Sequence, residues 1–337
     1  MDLIADISRF FTPLVGVDVW GSELGYGSFL TMSFGPPRED EPRMGQYFLW
    51  IFCCSWRIEE GDVLLAACED DRETMAWGAE RLNGERVERV TVYAPSLSLT
   101  IEFSGGLRLE TFSIYNTSDY EHWMLYMPSQ DVLTAGPGSL WSVEAGDKSP
   151  SDDDLRVMAV PVGLAEPETE TEDSVSDISL YFTSMMGVKA WGAELGTNGL
   201  LVVNFGLPNE RDPEYGQYSL WIDCDWSVED GALLWAVSGD GDEGSEEYGY
   251  ESGDKEALAR AVEILNGKPI KGVAVHAPSL SLTIDFGGGL RLKTFSIRTL
   301  EHNHWWLYMP GAKVLRAGPG SSWSVVDERE FTAESGA

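Results

Sequence analysis

The chain has 337 residues, 43% of them hydrophobic and 11% aromatic, with 13 Trp, a composition that excludes a chain disordered throughout. Its 56 acidic and 23 basic residues give a net charge of −33. Such a field repels nucleic acid and anionic membrane surfaces and attracts a cationic partner.

The length suggests about two domains, each with enough chain for its own core. The N-terminus, Met1-Asp-Leu-Ile-Ala-Asp6, lacks the basic and apolar regions of a signal peptide, and no apolar run approaches a membrane span. Of the cysteines Cys53, Cys54, Cys68 and Cys224, Cys53 and Cys224 are the pair read at matching places of a repeat, so no disulfide framework repeats with it. A reducing, cytoplasmic setting is expected.

In chain order, residues 2–14 read as a short amphipathic helix, echoed from Asp177. Gly16–Gly25 and Gly187–Gly196 each place a Trp-Gly in a strand leading to a turn. The strands Phe29–Gly35 and Leu200–Gly206 follow, then acidic, proline-containing loops. Gly45-Gln-Tyr-Phe-Leu-Trp50 and Gly216-Gln-Tyr-Ser-Leu-Trp221 run on to Trp56 and Trp226 with a one-residue difference in length. Inside a strand that difference signals a bulge or a changed turn. After another strand, residues 73–83 and 254–266 read as helices stopped by Gly84 and Gly267.

The longest repeated stretch is Tyr93–Ser113, which returns as His276–Ser296 at a constant spacing of 183 residues. Apolar residues alternate through Leu97, Leu99, Ile101 and Phe103, then again after a Gly-rich break at Leu107 and Leu109, the pattern of a β-hairpin with a three-residue loop. Two further strands, one through His122-Trp123 or His304-Trp305 and one through Trp141 or Trp323, close each copy.

The expected fold is therefore α+β: two tandem copies of a mainly antiparallel β domain of about eight strands, each with one main helix. A roll or a sheet curled around the helix is the first architecture expected, and a sandwich the second. Copy one spans 1–145, an acidic linker 146–176, copy two 177–328 and a tail 329–337. Residues 147–177 hold ten acids and two bases, yet include the apolar run Leu155–Leu164, which a pure spacer does not need.

Copy two carries an acidic insertion at 239–254. Its Asp240, Asp242, Glu243, Glu246, Glu247 and Glu251 are the candidate partner-binding residues. Asp240, Asp242 and Glu251 stand at calcium-loop positions 1, 3 and 12, but Gly244 and Ser245 spoil the pattern. His302 and His304 would share one face of a strand, with no further ligand at metal spacing. Neither a metal nor another cofactor is expected. The serines of the repeated hairpin read as outward-facing, and neither sits in a nucleophile elbow. Glu102 and Asp285 read as cross-strand partners of Arg108 and Arg291. The matched aromatic residues read mainly as packing.

The Trp-Gly turn, the Gly-Gln-Tyr-x-Leu-Trp strand, the helix ending Leu-Asn-Gly, the hairpin and the Trp-x-Leu-Tyr-x-Pro strand together resemble small uncharacterised bacterial α+β proteins, some of the immunity type found in polymorphic-toxin loci. That resemblance implies a cytoplasmic protein that neutralises a toxin domain by occlusion, and it transfers no catalytic residue. With no catalytic constellation in view, the leading expectation is a non-enzymatic acidic binding protein for a basic protein partner. The alternatives are an enzyme or small-ligand binder with a pocket between the copies, using His304, Tyr308 and Glu194, and a structural or self-assembling tandem protein.

Overall fold

The computed structural model describes residues 7–116, 120–146, 175–196, 199–231, 233–241, 254–300 and 302–335. The chain divides into two compact units between Glu168 and Thr169. Each contains eleven described strands in two antiparallel sheets.

In unit 1 the elements are β1 (Val19–Leu24), β2 (Leu30–Pro37), β3 (Gly45–Ile51), β4 (Ser55–Glu60), β5 (Val63–Ala67), α1 (Arg72–Arg81), β6 (Val87–Tyr93), β7 (Ser98–Phe103), β8 (Leu107–Phe112), β9 (Trp123–Tyr126), β10 (Asp131–Ala135) and β11 (Trp141–Ala145). One sheet runs β1-β2-β3-β9-β10-β11, the other β5-β4-β8-β7-β6. Unit 2 begins with α2 (Val175–Tyr181). It continues through β12 (Ala190–Leu195), β13 (Leu201–Pro208), β14 (Gly216–Ile222), β15 (Asp225–Asp230), β16 (Leu233–Val237), α3 (Lys255–Val262), β17 (Gly272–His276), β18 (Ser281–Gly287) and β19 (Leu290–Phe295). It closes with β20 (Trp305–Met309), β21 (Lys313–Ala317), β22 (Trp323–Asp327) and α4 (Glu328–Ser335). Its sheets repeat the same order, β12-β13-β14-β20-β21-β22 and β16-β15-β19-β18-β17.

The mixed α+β class and the likeness of the halves agree with the sequence, but the strand count exceeds about eight. The run from Gly45 to Trp56 is two strands, not one. β3 stays in the six-stranded sheet, residues 52–54 cross over, and β4 joins the five-stranded sheet. The one-residue difference falls in this crossing, which is 223–224 in unit 2. No ladder register runs through a crossing, so a deletion there flips no side chain. Counting back from β4 and β15, Cys224 stands where Cys54 does, both buried two residues before a Trp, rather than where Cys53 does.

Alternation builds the interior. Val19, Met32, Phe34, Leu49, Leu125 and Leu133 face one way across the six-stranded sheet and are at most 1% exposed. Trp56, Ile58, Leu109 and Ile101 do the same on the five-stranded sheet, all fully buried. Two indoles join the sheets. Trp123 of β9 donates Nε1–H to the Leu97 carbonyl at the start of β7, at 2.8 Å, and Trp56 of β4 donates to the Ser28 carbonyl ahead of β2, at 2.6 Å. Unit 2 repeats both, Trp305 to Leu280 at 2.8 Å and Trp226 to Gly199 at 3.1 Å.

Helix α1 is capped by the Asp71 side chain, which accepts from the Glu73 and Thr74 amides, and it packs on the edge strands β1 and β5 of both sheets. The architecture is therefore two sheets with a helix across one edge, rather than one sheet curled around a helix. After the helix, Asn83 accepts from the Ser22 amide at 2.8 Å and donates to its carbonyl at 3.1 Å, satisfying backbone where β1 bulges between Trp20 and Glu23. Gly45 and Gly216 are required by space: a Cβ there would lie 2.5 Å and 2.7 Å from the carbonyl oxygens of Phe34 and Phe205. The residues read as a tail form α4, whose Phe331 is buried.

Replacing Trp123 or Trp305 by Phe keeps most of the ring but strands a buried carbonyl. Each change is expected to destabilise its unit by about 1–3 kcal/mol in urea unfolding. Trp141→Phe, at a half-buried position, should cost less than about 0.5 kcal/mol.

Candidate functional site

Of the six acidic insertion residues, Asp240 lies in a 3-10 turn, Ser238–Gly241, and is only 9% exposed. Asp242, Glu243, Glu246, Glu247 and Glu251 lie outside the described residues, as does the calcium-loop reading that needs Asp242 and Glu251. Among the described residues no group of three or more His, Cys, Asp or Glu side chains is placed to hold a metal.

The expected histidine pair does not form. His302 is exposed in a turn with φ +50°, whereas His304 is buried just before β20, so no strand aligns the two rings. His122 and His304 are instead structural counterparts. The Nε2 of each donates to a backbone carbonyl, of Tyr115 at 2.9 Å and of Gly320 at 3.0 Å. The rings lie against Gly136 and Gly318, where a Cβ would come within 2.8 Å of the His Cδ2. Burial lowers the His122 pKa from 6.5 to about 4, with the Tyr115 hydrogen bond opposing. Its Nδ1 is buried without a partner among the described residues, so a second proton would have nowhere to donate.

The repeated serines face inward, not outward. Ser96 and Ser98 are 5% and 8% exposed and share a hydrogen bond of 3.0 Å, and the Ser113 hydroxyl donates to the Ser96 carbonyl at 2.5 Å. They line the turn after the cis Ala94-Pro95 bond, where Leu97 has φ +57° and presents its carbonyl to Trp123. Unit 2 repeats the arrangement at Ser279, Ser281, Ser296 and Leu280. Two of the four thiols are raised well above the ordinary range. Burial and then the Glu121 charge push Cys53 up to about 12, and burial pushes Cys224 up as well.

Within unit 2, Glu194, Tyr308 and His304 do not converge. Glu194 lies on β12, and β13 and β14 separate it from Tyr308 on β20, roughly 14 Å at ordinary strand spacing. An open cleft of about 440 Å³ lies nearby, lined by Val188, Lys189, Trp191, Leu207 and Gln217 among others. The Trp191 Nε1–H is committed to the Gly206 carbonyl at 2.8 Å, and no acid–base pair lines the cleft.

The densest titratable cluster was missed in sequence because it joins two separated strands. On the outer face of the five-stranded sheet, register sets Arg57 opposite Glu110 and Glu59 opposite Arg108. Arg57 Nε lies 2.8 Å from Glu59, Arg108 Nε donates to Glu59 at 2.8 Å, and Arg57 also hydrogen-bonds Glu110. Glu59 is 1% exposed, and its pKa is raised by desolvation and by Glu110, against the pull of Arg57 and Arg108. Two cations and two anions neutralise one another, and both carboxylates are held by guanidinium groups. Register sets Glu102 opposite Arg108 and Asp285 opposite Arg291, as expected; Glu102 also bonds Arg89 of β6 at 3.1 Å, and Asp285 pairs with Arg291 at 3.8 Å.

The engagement extends to every arginine of residues 1–146, a stretch with nine Arg, no Lys and 23 acidic residues. Arg43, Arg57, Arg81, Arg86, Arg89 and Arg108 are ion-paired. Arg38 and Arg72 donate to backbone carbonyls, and Arg9 lies 4.9 Å from the Phe10 ring centroid. Among the acids, Glu39, Asp40, Asp62 and Glu88 are exposed.

No protein-family model matches the chain, and no curated protein matches it. No helix among the described residues is long and apolar enough to cross a membrane.

The His122 pKa is depressed in the folded state, so its contribution is intact above pH 6.5 and is lost as pH falls toward about 4. Denaturant titrations across that window should show a loss of up to about 3 kcal/mol in unit 1 that His122→Gln, which cannot titrate, lacks. Glu59→Gln leaves the buried Arg57 guanidinium sharing Glu110 with the half-buried Arg108 and should cost unit 1 about 3 kcal/mol in the same measurement.

Proposed function

We propose that the protein is a non-enzymatic binding protein that captures a basic protein partner, in the manner of a cytoplasmic immunity or inhibitor protein. The observation that carries this reading is the engagement of all nine arginines of residues 1–146 against 23 acidic residues. Residues 1–146 hold their cations in ion pairs, carbonyl contacts and one ring contact, and present carboxylates such as Glu39, Asp40, Asp62 and Glu88 to solvent. A cationic surface approaching it is steered inward without competition from free lysines. The acidic insertion and residues 147–177 add charge of the same sign. His122, His304, the buried hairpin serines and the Glu59 cluster are committed to partners within their own unit, and burial raises the Cys53 and Cys224 thiols above the ordinary range.

The test is a complex recovered on the full chain at low salt and titrated calorimetrically. Raising salt from about 50 to about 500 mM should weaken it on the order of tenfold or more. The variant Glu39→Gln/Asp40→Asn/Asp62→Asn/Glu88→Gln should slow association several-fold with unit 1 still folded. A complex indifferent to both changes defeats the proposal.

A further inference from the structure

The cleft of unit 2 stands where unit 1 has the same backbone frame and the opposite charge. In both units an indole on the first strand donates to a glycine carbonyl of the second, Trp20 to Gly35 at 2.7 Å and Trp191 to Gly206 at 2.8 Å. The Trp191 ring is held by that bond at one edge, is half-buried, and lines the cleft with Val188 and Leu207. Leu207 replaces Pro36 of unit 1 and is 76% exposed, an apolar side chain with no cover of its own.

A short antiparallel bridge beside this platform carries the charge. In unit 1 it sets Asp18 opposite Arg86, ion-paired at 2.9 Å, with Glu85 and Glu88 close by in sequence. In unit 2 it sets Lys189 opposite Pro269, and Lys268 and Lys271 stand in the places of Glu85 and Glu88. Three acids and an arginine have become three lysines and a proline. The chain has only seven lysines, so nearly half of them gather at this one place.

The three lysines are exposed, and none is paired with a carboxylate among the described residues. Lys189 lines the cleft, Lys268 follows the lining residue Gly267, and Lys271 lies diagonally from Lys189, roughly 7–8 Å away at ordinary sheet spacing. No carboxylate lines the cleft, and Asp285, opposite Gly272, is engaged by Arg291 at 3.8 Å. Unpaired lysines gathered on a chain of net charge −33 make a local field opposite to that of the whole molecule.

We propose that this cleft binds a small organic anion, a carboxylate carrying a flat apolar body. The Trp191 ring, Val188 and Leu207 receive the body, and Lys189 and Lys268 receive the carboxylate, with Lys271 adding to the field. The volume, about 440 Å³, is that of a small-molecule site. Lysine carries a compact charge on a flexible stem, so it follows a carboxylate across an open cleft without a preset fork geometry. The counterpart in unit 1, rimmed by Asp18, Glu85 and Glu88, repels the same ligand. The site is independent of the basic-partner reading, which rests on residues 1–146.

Phenylacetate and its neutral isostere phenylacetamide test this on the full chain labelled with 5-fluorotryptophan, the Trp191 resonance being assigned with Trp191→Phe. Phenylacetate should shift that resonance with an affinity at least about tenfold above that of the amide. Acetate, which lacks the apolar body, should need at least about tenfold more ligand. Lys189→Asp/Lys268→Glu/Lys271→Glu, which installs the residues unit 1 already carries, should abolish the preference for the acid. Leu207→Ser should weaken acid and amide alike by several-fold. The Trp226 and Trp305 resonances must keep their positions in each variant, which shows that unit 2 is still folded. Equal affinity for acid and amide overturns the proposal, as does a preference that survives the triple reversal or no shift of Trp191 at about 20 mM phenylacetate. Binding of poly-glutamate without binding of phenylacetate would assign the lysines to a protein partner and likewise overturn it.

Discussion

Each unit depends on a pair of indole hydrogen bonds that run in opposite directions between its two sheets. Trp123 reaches from the six-stranded sheet to the Leu97 carbonyl, and Trp56 reaches from the five-stranded sheet to the carbonyl of Ser28. Both rings are fully buried, so each supplies a large apolar surface and a directional bond at once. Leu97 can offer its carbonyl because φ is +57°, and the inward serines hold that turn. The retained Ala-Pro-Ser-Leu-Ser stretch is thus a joint between sheets, repeated wherever the fold repeats. The His–Gly contact before β9 and β20 locks the start of the strand that carries the bracing Trp.

What the two units share is packing, and what separates them lies on outward faces. On the five-stranded sheet, the four-membered Arg57, Glu59, Arg108 and Glu110 cluster of unit 1 reduces in unit 2 to Lys293 on Glu229, with Ser227 standing opposite Lys293. On the six-stranded sheet, Phe48 in one unit answers to Ser219 in the other. Interior positions are constrained by volume and by indole geometry in both copies, whereas the outward faces were free to diverge. The divergent faces are therefore where partner chemistry belongs, and residues 1–146 of unit 1 hold no lysine and engage all nine of their arginines.

Much of the fold was legible along the chain. Alternation marked the hairpin of β7 and β8, and the stripe Leu258, Ala261, Val262 and Leu265 marked α3 with its following 3-10 turn. The illegible parts have physical reasons. From Tyr47 to Cys54 the chain is continuously apolar although it changes sheets, and nothing in that run marks where the inward set passes from Leu49 and Ile51 to Trp56 and Ile58. The serines of the repeat look outward by polarity and point inward because they satisfy a turn. The candidate site was less legible still: Glu59 and Arg108 are separated by 49 residues in sequence and become neighbours only through the β4–β8 register.

The sequence by itself determined the duplication, the antiparallel β character, the places of α1 and α3 and the sign of the charge, since each is written in local periodicity or in composition. The tertiary structure decided which polar groups are available. Long-range register and burial committed His122, His304, the hairpin serines, Arg57, Arg108 and the Glu59 carboxylate to partners within their own unit, and local pattern carries no information about partners that far away.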